Sequence, residues 1–334
     1  MDHDPHGEFT GRNILYQAHS AEETARQFGR PVGEVRASLL RAEAILLDAR
    51  AARPRPRVDD KILTAWNGLM ISAFALGGAV LEEPRYAAAA RRAAEFLLSR
   101  MVRPATGILL HRYRNGDAAV PGFLDDYALL AQGLLDLYET QFDIAHLDAA
   151  ARLTEKQIEL FEDPDGGAFF SAAPNPELVV RVKEDYDGAE PCGNSVAARN
   201  LLRLARMMNR AEFRESAERT LAAFASRLAA APAALPQMLA ACDFLLREPQ
   251  EVVLVGERGA PDTAALARIL HARFAPSRVV LLVDSPETRR KLAAGIPAIR
   301  SMEKIGGRAS AYVCRGYACQ LPVFEPEKLA ALIQ

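Results

Sequence analysis

Three clusters of polar residues in this chain have the types and spacing to do chemistry, and each opens a corresponding segment. The first is Asp59-Asp60-Lys61 with Trp66 and Asn67. The second is His111-Arg112-Tyr113 with Asp125, Asp126 and Tyr127. The third is Lys183-Glu184-Asp185-Tyr186-Asp187 with Glu190, Asn194 and Ser195. Carboxylates, an imidazole and aromatic rings gathered at one place suit a sugar or another polyol. Rings cover the apolar faces of a sugar, while Asp, Asn and Arg bind its hydroxyls. Two carboxyl groups, or a carboxyl and a histidine, act as general acid and base once their environments push their pKa values apart. On this reading Asp126 and Glu190 are the acid/base pair and His111 is an alternative base. Asp60, Trp66, Asn67, Asp125, Tyr127 and Asn194 are substrate contacts.

Each residue also has a plainer reading. Asp125 and Asp126 precede a helical run, where a carboxylate caps free N–H groups and meets the positive end of the helix dipole. Asn194 and Ser195 are cap types as well. Asp59 and Asp60 can pair with nearby arginines, and Trp66 fits a core. The shared position of the three clusters is what favours function.

That position follows from an internal repeat. Helical runs open at Thr64, Leu124 and Cys192. Each leads to a short turn with a large apolar marker, Tyr86, Leu147 or Phe213, and then to a second amphipathic helix. The markers lie 61 (147 − 86) and 66 (213 − 147) residues apart. Such a period describes an array of helical hairpins, none of which buries its apolar face alone. The pattern predicts helices over 64–82, 84–102, 125–142, 145–162, 193–209, 211–230 and 234–247. The first, third and fifth are apolar on most faces and read as inner helices buried on several sides, their alternating partners as half-exposed outer helices. Gly107 to Gly116 alternates like a strand and ends at an Asn-Gly turn. Residues 167–171 and 178–182 read as a second hairpin. All these long connections fall at the amino ends of the inner helices.

Upstream, Ser20 to Glu23 is a capping box, and Pro31 opens a second helix with Val35, Leu39, Ala42 and Leu46 on one face. Arg50 to Arg57 (RAARPRPR) reads as a basic, proline-bearing linker. Past Pro249, apolar runs at 251–256 and 278–284 flank a helix and predict a parallel βαβ unit, which Ala311 to Cys314 and a helix from Pro326 complete. The expected domains are 1–58, helices and linker forming part of the helical array; 59–248, the hairpins; and 249–334, a small α/β domain.

Half of the 334 residues are hydrophobic, a quarter are charged, and the net charge is −2. That balance offers no general attraction to nucleic acid or anionic membrane. No apolar run reaches the ~20 residues of a membrane span, and Met1 to Phe9 lacks the pattern of a secretory signal. The expected compartment is the cytoplasm. Four cysteines make no disulfide scaffold. Cys314 and Cys319 either sit in the core or meet across a turn. The Asp2 to His6 stretch reads as a frayed terminus, Gly256 to Gly259 falls short of a dinucleotide fingerprint, and no cofactor or metal is expected.

Four stretches carry a family resemblance: Asp59 to Met70 (DDKILTAWNGLM), Pro121 to Tyr127 (PGFLDDY), Tyr186 to Ser195 (YDGAEPCGNS), and Ala311 to Cys314 with Cys319. Gly7 to Leu15 looks like a further family segment. The chain resembles, over essentially its whole length, the YyaL-like proteins that include spermatogenesis-associated protein 20. The resemblance implies a thioredoxin-like domain, a six-hairpin α/α barrel related to sugar epimerases and glycosidases, and a C-terminal α/β region. Against that pattern this sequence is expected to lack the thioredoxin-like domain and the start of the barrel, and Cys192 stands where the family often has Ser. The fold class expected is therefore mainly α: a partial α/α toroid, six-hairpin glycosidase-like, with a small C-terminal α/β domain. The functional expectation is a saccharide pocket with epimerase- or glycosidase-like chemistry; the alternative is a non-catalytic scaffold that binds a ligand or partner. An incomplete toroid leaves apolar inner-helix surface bare, so another copy or a separate chain is expected over the open edge.

Overall fold

A computed structural model describes residues 15–316 and 318–333. The expected segments Asp2 to His6 and, up to Ile14, Gly7 to Leu15 lie outside the described residues. The described chain forms two compact units, one ending at Asp60 and one beginning at Lys61.

The first unit holds α1 (Ala21–Phe28) and α2 (Val32–Ala51). Ser20 caps α1 through the reciprocal bonds of a capping box with Glu23, and Gly29 ends it in the left-handed conformation (φ 60°). α2 buries no residue, and Leu39, Leu40, Ile45, Leu46 and Leu47 are exposed along it.

The second unit begins with β1 (Ile62–Leu63), followed by α3 (Thr64–Val80) and α4 (Pro84–Arg100). Next come the hairpin of β2 (Leu110–Arg114) and β3 (Asp117–Pro121), then α5 (Leu124–Gln141), α6 (Ile144–Phe161), α7 (Gly193–Met208), α8 (Ala211–Ala223), α9 (Ala225–Ala230) and α10 (Pro236–Leu246). Helices α3, α5, α7 and α10 pack side by side, each to the next, while α4, α6 and α8 pack outside α3, α5 and α7. This is an arc of an α/α toroid, as the alternation of apolar and amphipathic runs predicts. Close approach sets the α3–α5 contact: a Cβ on Gly68 would lie 2.5 Å from the Leu129 carbonyl carbon, and one on Gly133 would lie 2.6 Å from Gly68 O.

Helix α5 is the fully enclosed inner helix, with Leu129, Leu130, Leu134, Leu135 and Leu137 all buried. The expectation of burial on several sides fails for α3. Trp66, Met70, Ala73, Leu76 and Val80 recur at helical spacing and are exposed, because α5 and α4 cover only two sides of the helix. No charged residue lies between Thr64 and Val80 to solvate that stripe.

The β2–β3 turn has Asn115 and Gly116 both at positive φ (52° and 83°), the requirement of the tight hairpin turn that matches strand twist. β1 joins β2 to make a three-stranded antiparallel sheet. The second expected hairpin does not form. Residues 171–192 contain no strand, and one backbone bond, Ser171 N–H to Val182 O at 2.8 Å, joins its two halves.

The remaining elements are β4 (Gln250–Val255), α11 (Pro261–His271), β5 (Arg278–Val283), α12 (Pro286–Gly295), β6 (Ser310–Arg315), β7 (Ala318–Cys319) and α13 (Pro326–Leu332). The sheet order is β5-β4-β6-β7, with β4 parallel to β5 and antiparallel to β6, so the βαβ unit is present. A boundary at 248/249 separates helices from sheet but not their cores. Val253, Val255, Val279, Leu281 and Val283 share one buried cluster with the toroid helices. Helix α5 also covers the outer edge of β5: Val280 N–H donates to Glu139 Oε1 (2.9 Å) and Leu282 N–H to Tyr138 Oη (3.4 Å). Covering an edge strand's free donors this way blocks further strand pairing. Glu139 also meets Arg203 of α7 (2.5 Å), which reaches Asp136 of α5 (2.7 Å). Cys314 and Cys319 face each other across β6 and β7 and are joined by a disulfide, so Cys319 is an exposed bridge partner rather than a small core residue. No helix among the described residues is long and apolar enough to cross a membrane.

Candidate active site at the amino ends of the inner helices

Every helix begins with N–H groups that lack an intrahelical acceptor and with the positive end of its dipole. In this arc, carboxylates answer that need across neighbouring helices. Asp126, in the first turn of α5, accepts from Ala65 N of α3 (3.0 Å) through Oδ1 and from Phe123 N (2.9 Å) through Oδ2. Asp187 accepts from Cys192 N at the start of α7 (2.9 Å) and from Gln237 N at the start of α10 (2.8 Å). Asp125 lies against the Gly193 N–H of α7. Three aspartates thus stitch four successive inner helices together at one end.

Asp126 also holds His111. The imidazole Nδ1, on β2, donates to Asp126 Oδ2 at 2.9 Å, and Phe123 packs edge-on against the ring (5.3 Å). With Nδ1 so occupied, Nε2 makes no bond to the described residues, and the His111 side chain is 32% exposed. Asp126 itself is 1% exposed and takes three donors. Burial pushes its carboxyl above the ordinary range, against the pull of Phe123 N, His111 and Ala65 N. It orients and supports an imidazole, in the manner of a carboxylate behind a catalytic histidine.

Asp125 points the other way, toward α7, because consecutive helical residues diverge by about 100°. Burial is the main cause of a carboxyl pushed up to about 6, with Glu184, Asp126 and Glu190 adding negative potential and the Gly193 N–H opposing. Glu184 and Glu190 reach it from the irregular segment before α7, and both are exposed. Asn194 fixes that segment: its Nδ2 donates to Glu184 O (3.3 Å) and Phe169 O (3.0 Å), and its Oδ1 accepts from Phe169 N (2.9 Å). Gly193 is required beside Asp125, since a Cβ there would collide with Asp125 Oδ1 and Leu124.

The expected site residues divide accordingly. His111 and Asp126 come together at the start of α5, while Asp125, the residue before Asp126, faces α7 with Glu190 in its field. Trp66 (55% exposed) and Asn67 follow Ala65, which Asp126 holds, in the first turn of α3, and Trp66 heads the exposed stripe of that helix. Asn67 Nδ2 donates to Leu63 O (2.8 Å). Tyr127 and Asn194, expected as substrate contacts, are fully buried. Tyr127 Oη accepts from Leu109 N (2.8 Å), and its ring packs on Phe161. Both hold loops to helices. Asp60 is exposed in the first unit, outside the unit that builds this mouth. Lys183, of the third cluster, is committed to Asp163 (2.7 Å) and Gly167 O (2.6 Å), which holds the Asp163 carboxyl down at about 2. Sequence reasoning missed the nearness of Glu184 to Asp125. The signal was Gly193, a glycine opening a helix where no side chain fits.

No family model matches the chain. Human spermatogenesis-associated protein 20 is 38% identical over 99% of this chain and 43% of its own length. The chain belongs to the spermatogenesis-associated protein 20 (YyaL-like) family. An uncharacterized Caenorhabditis elegans protein is 32% identical over 98% of this chain and 45% of its own length. This family member therefore spans less than half the length of the curated relatives it matches. Among solved structures, a GH76 α-mannanase of Bacteroides thetaiotaomicron aligns over 53% of this chain and 46% of its own (17% identity, TM-score 0.42). Cellobiose 2-epimerase of Spirochaeta thermophila aligns over 49% and 43% (16% identity, TM-score 0.41).

Proposed function

We propose that this chain binds a saccharide at the amino ends of α3, α5 and α7 and carries out epimerase- or glycosidase-like acid/base chemistry there. Asp125 is the acid and His111 the base, Asp126 positions His111, Glu190 and Glu184 sustain the raised Asp125 carboxyl, and Trp66 and Asn67 contact the substrate. One observation carries this reading. A carboxyl pushed up to about 6 lies one residue from the carboxylate that holds an imidazole by Nδ1 and leaves Nε2 free. An acid that keeps its proton toward neutrality and an oriented base are the two groups that proton transfer needs. On an open-chain sugar, His111 Nε2 takes the proton beside the carbonyl while Asp125 gives its proton to the carbonyl oxygen. Trp66, exposed in the first turn of α3, offers a face for the sugar ring.

The test incubates the protein in deuterated water with a panel of reducing mono- and disaccharides, followed by NMR for exchange at the carbon next to the carbonyl and for bond cleavage. Asp125→Asn and His111→Asn should each lower the rate by about 100-fold or more. Saccharides that bind without exchange or cleavage would support the scaffold reading. Binding unchanged in both Asp125→Asn and Trp66→Ala would remove the mouth as the site.

A further inference from the structure

A cavity of about 890 Å³ lies away from this mouth, in the α/β region. It opens where β4 and β5 end, bounded by Val255 and Gly256 on one strand and Val283 and Asp284 on the other. These strands are parallel, and on its other side β4 pairs with the antiparallel β6. In open α/β sheets, ligands collect beyond the carboxyl ends of parallel strands, where the strand order changes direction. Its volume is that of a small-molecule site.

The charges on its walls do not cancel. Lys304 is paired with Glu257 (3.0 Å), and Asp284 with Arg258 (3.6 Å). Arg289 is fixed by two carbonyls, its Nη1 donating to Ile299 O (2.7 Å) and Met302 O (2.5 Å), and meets no carboxylate. Arg290 on α12 and Arg300 on the turn after it make no ion pair or hydrogen bond with the described residues. Four cations, Arg289, Arg290, Arg300 and Lys304, therefore line the cavity against three carboxylates, Glu257, Asp284 and Glu303, and the excess is positive. Between them the buried side chains of Val255, Val283 and Ala293 form an apolar floor. Arginine is suited to oxyanions because its fork gives two parallel N–H bonds to carboxylate or phosphate.

We propose that this cavity is a second binding site, for a small organic anion whose phosphate or carboxylate head is held by Arg290 and Arg300 while its compact body rests on the Val255–Val283 floor. Arg289, tied to the turn, sets the wall that carries Arg300.

The full chain is titrated calorimetrically at constant ionic strength with inorganic phosphate, glucose 6-phosphate, succinate and glucose. Saturable binding of at least one of the three anions is expected. Arg290→Gln with Arg300→Gln should weaken it about 100-fold, roughly tenfold for each charge-assisted bond removed. Both residues are exposed, so the fold is spared, which circular dichroism checks. Whether phosphate or succinate binds identifies the head group. Glucose 6-phosphate binding that is lost in the double arginine variant but kept in Trp66→Ala belongs to this cavity and not to the saccharide mouth. Saturation by none of the three anions, or equal affinity in the double variant, would overturn the proposal.

Discussion

Replacing Asp125 with Asn should slow the chemistry and strengthen the fold, and the size of the second effect follows from the structure. The Asp125 carboxyl is pushed from 3.8 to about 6, mainly by burial and by Glu184. A shift of about two units at ~1.4 kcal/mol per unit gives an upper bound of about 3 kcal/mol. Partial exposure of the side chain screens some of this, leaving about 1–3 kcal/mol. Because the folded-state pKa is raised, the folded form holds the proton more tightly than the unfolded chain does. Stability is complete below about pH 4, falls as pH rises from about 4 to about 6, and stays lower above that. Asn presents a carbonyl oxygen to Gly193 N–H and carries no charge beside Glu184 and Glu190. The variant should match the wild type near pH 4 and exceed it at pH 8, with Tm higher by roughly 1–4 °C. Scanning calorimetry at both pH values measures the difference, and the deuterium-exchange assay measures the loss of turnover. A stability difference that is the same at pH 4 and pH 8, or a variant weaker at pH 8, would refute the reasoning.

Asp187→Ala should cost about 2–4 kcal/mol in urea unfolding, because it strands the Cys192 and Gln237 N–H groups at the starts of two helices; Asp187→Asn, which keeps one acceptor, should cost less. Breaking the short Cys314–Cys319 loop with Cys319→Ser should cost about 2 kcal/mol or less on loop-closure grounds; the unfolded wild type should titrate two thiols without reductant and four with it. We propose that a second copy or a separate chain covers the bare face of α3 from Met70 onward, leaving Trp66 free. Met70→Glu with Leu76→Glu should then abolish self-association in light scattering and reduce hydrophobic-dye binding. A wild type that is a clean monomer and binds no dye would count against such a cover.

The helical array was legible because a 3.6-residue period and apolar content survive in any local window. Thr64 to Val80 announced a helix, and the markers Tyr86, Leu147 and Phe213 announced its partners. What a window does not hold is which faces find neighbours. Val179 and Val180 alternate like a strand but have no partner strand and lie exposed, and Met70 and Leu76 look like core but lack a neighbour on their side. The site was legible in place but not in roles. Asp125 and Asp126 are identical in type and adjacent in sequence. Only the positions of Ala65 and Gly193, 61 (126 − 65) and 68 (193 − 125) residues away in opposite directions along the chain, make one a saturated clamp and the other an available acid. Tyr127 and Asn194 have the composition of ligand contacts, and their commitment to Leu109 and Phe169 depends on distant backbone.

The aspartate stitching also bears on how the arc would yield under load. Asp126 ties α3 to α5, Asp125 meets α7, and Asp187 ties α7 to α10, so each seam joins only two neighbours at one end of the helices. Between α5 and α7 the far end is fastened separately, by Arg203 to Asp136 and Glu139. Pulled from its two ends, such a row would open seam by seam, starting at the outermost. A force trace should show a few separate drops, and removing one aspartate should erase one drop and leave the others in place.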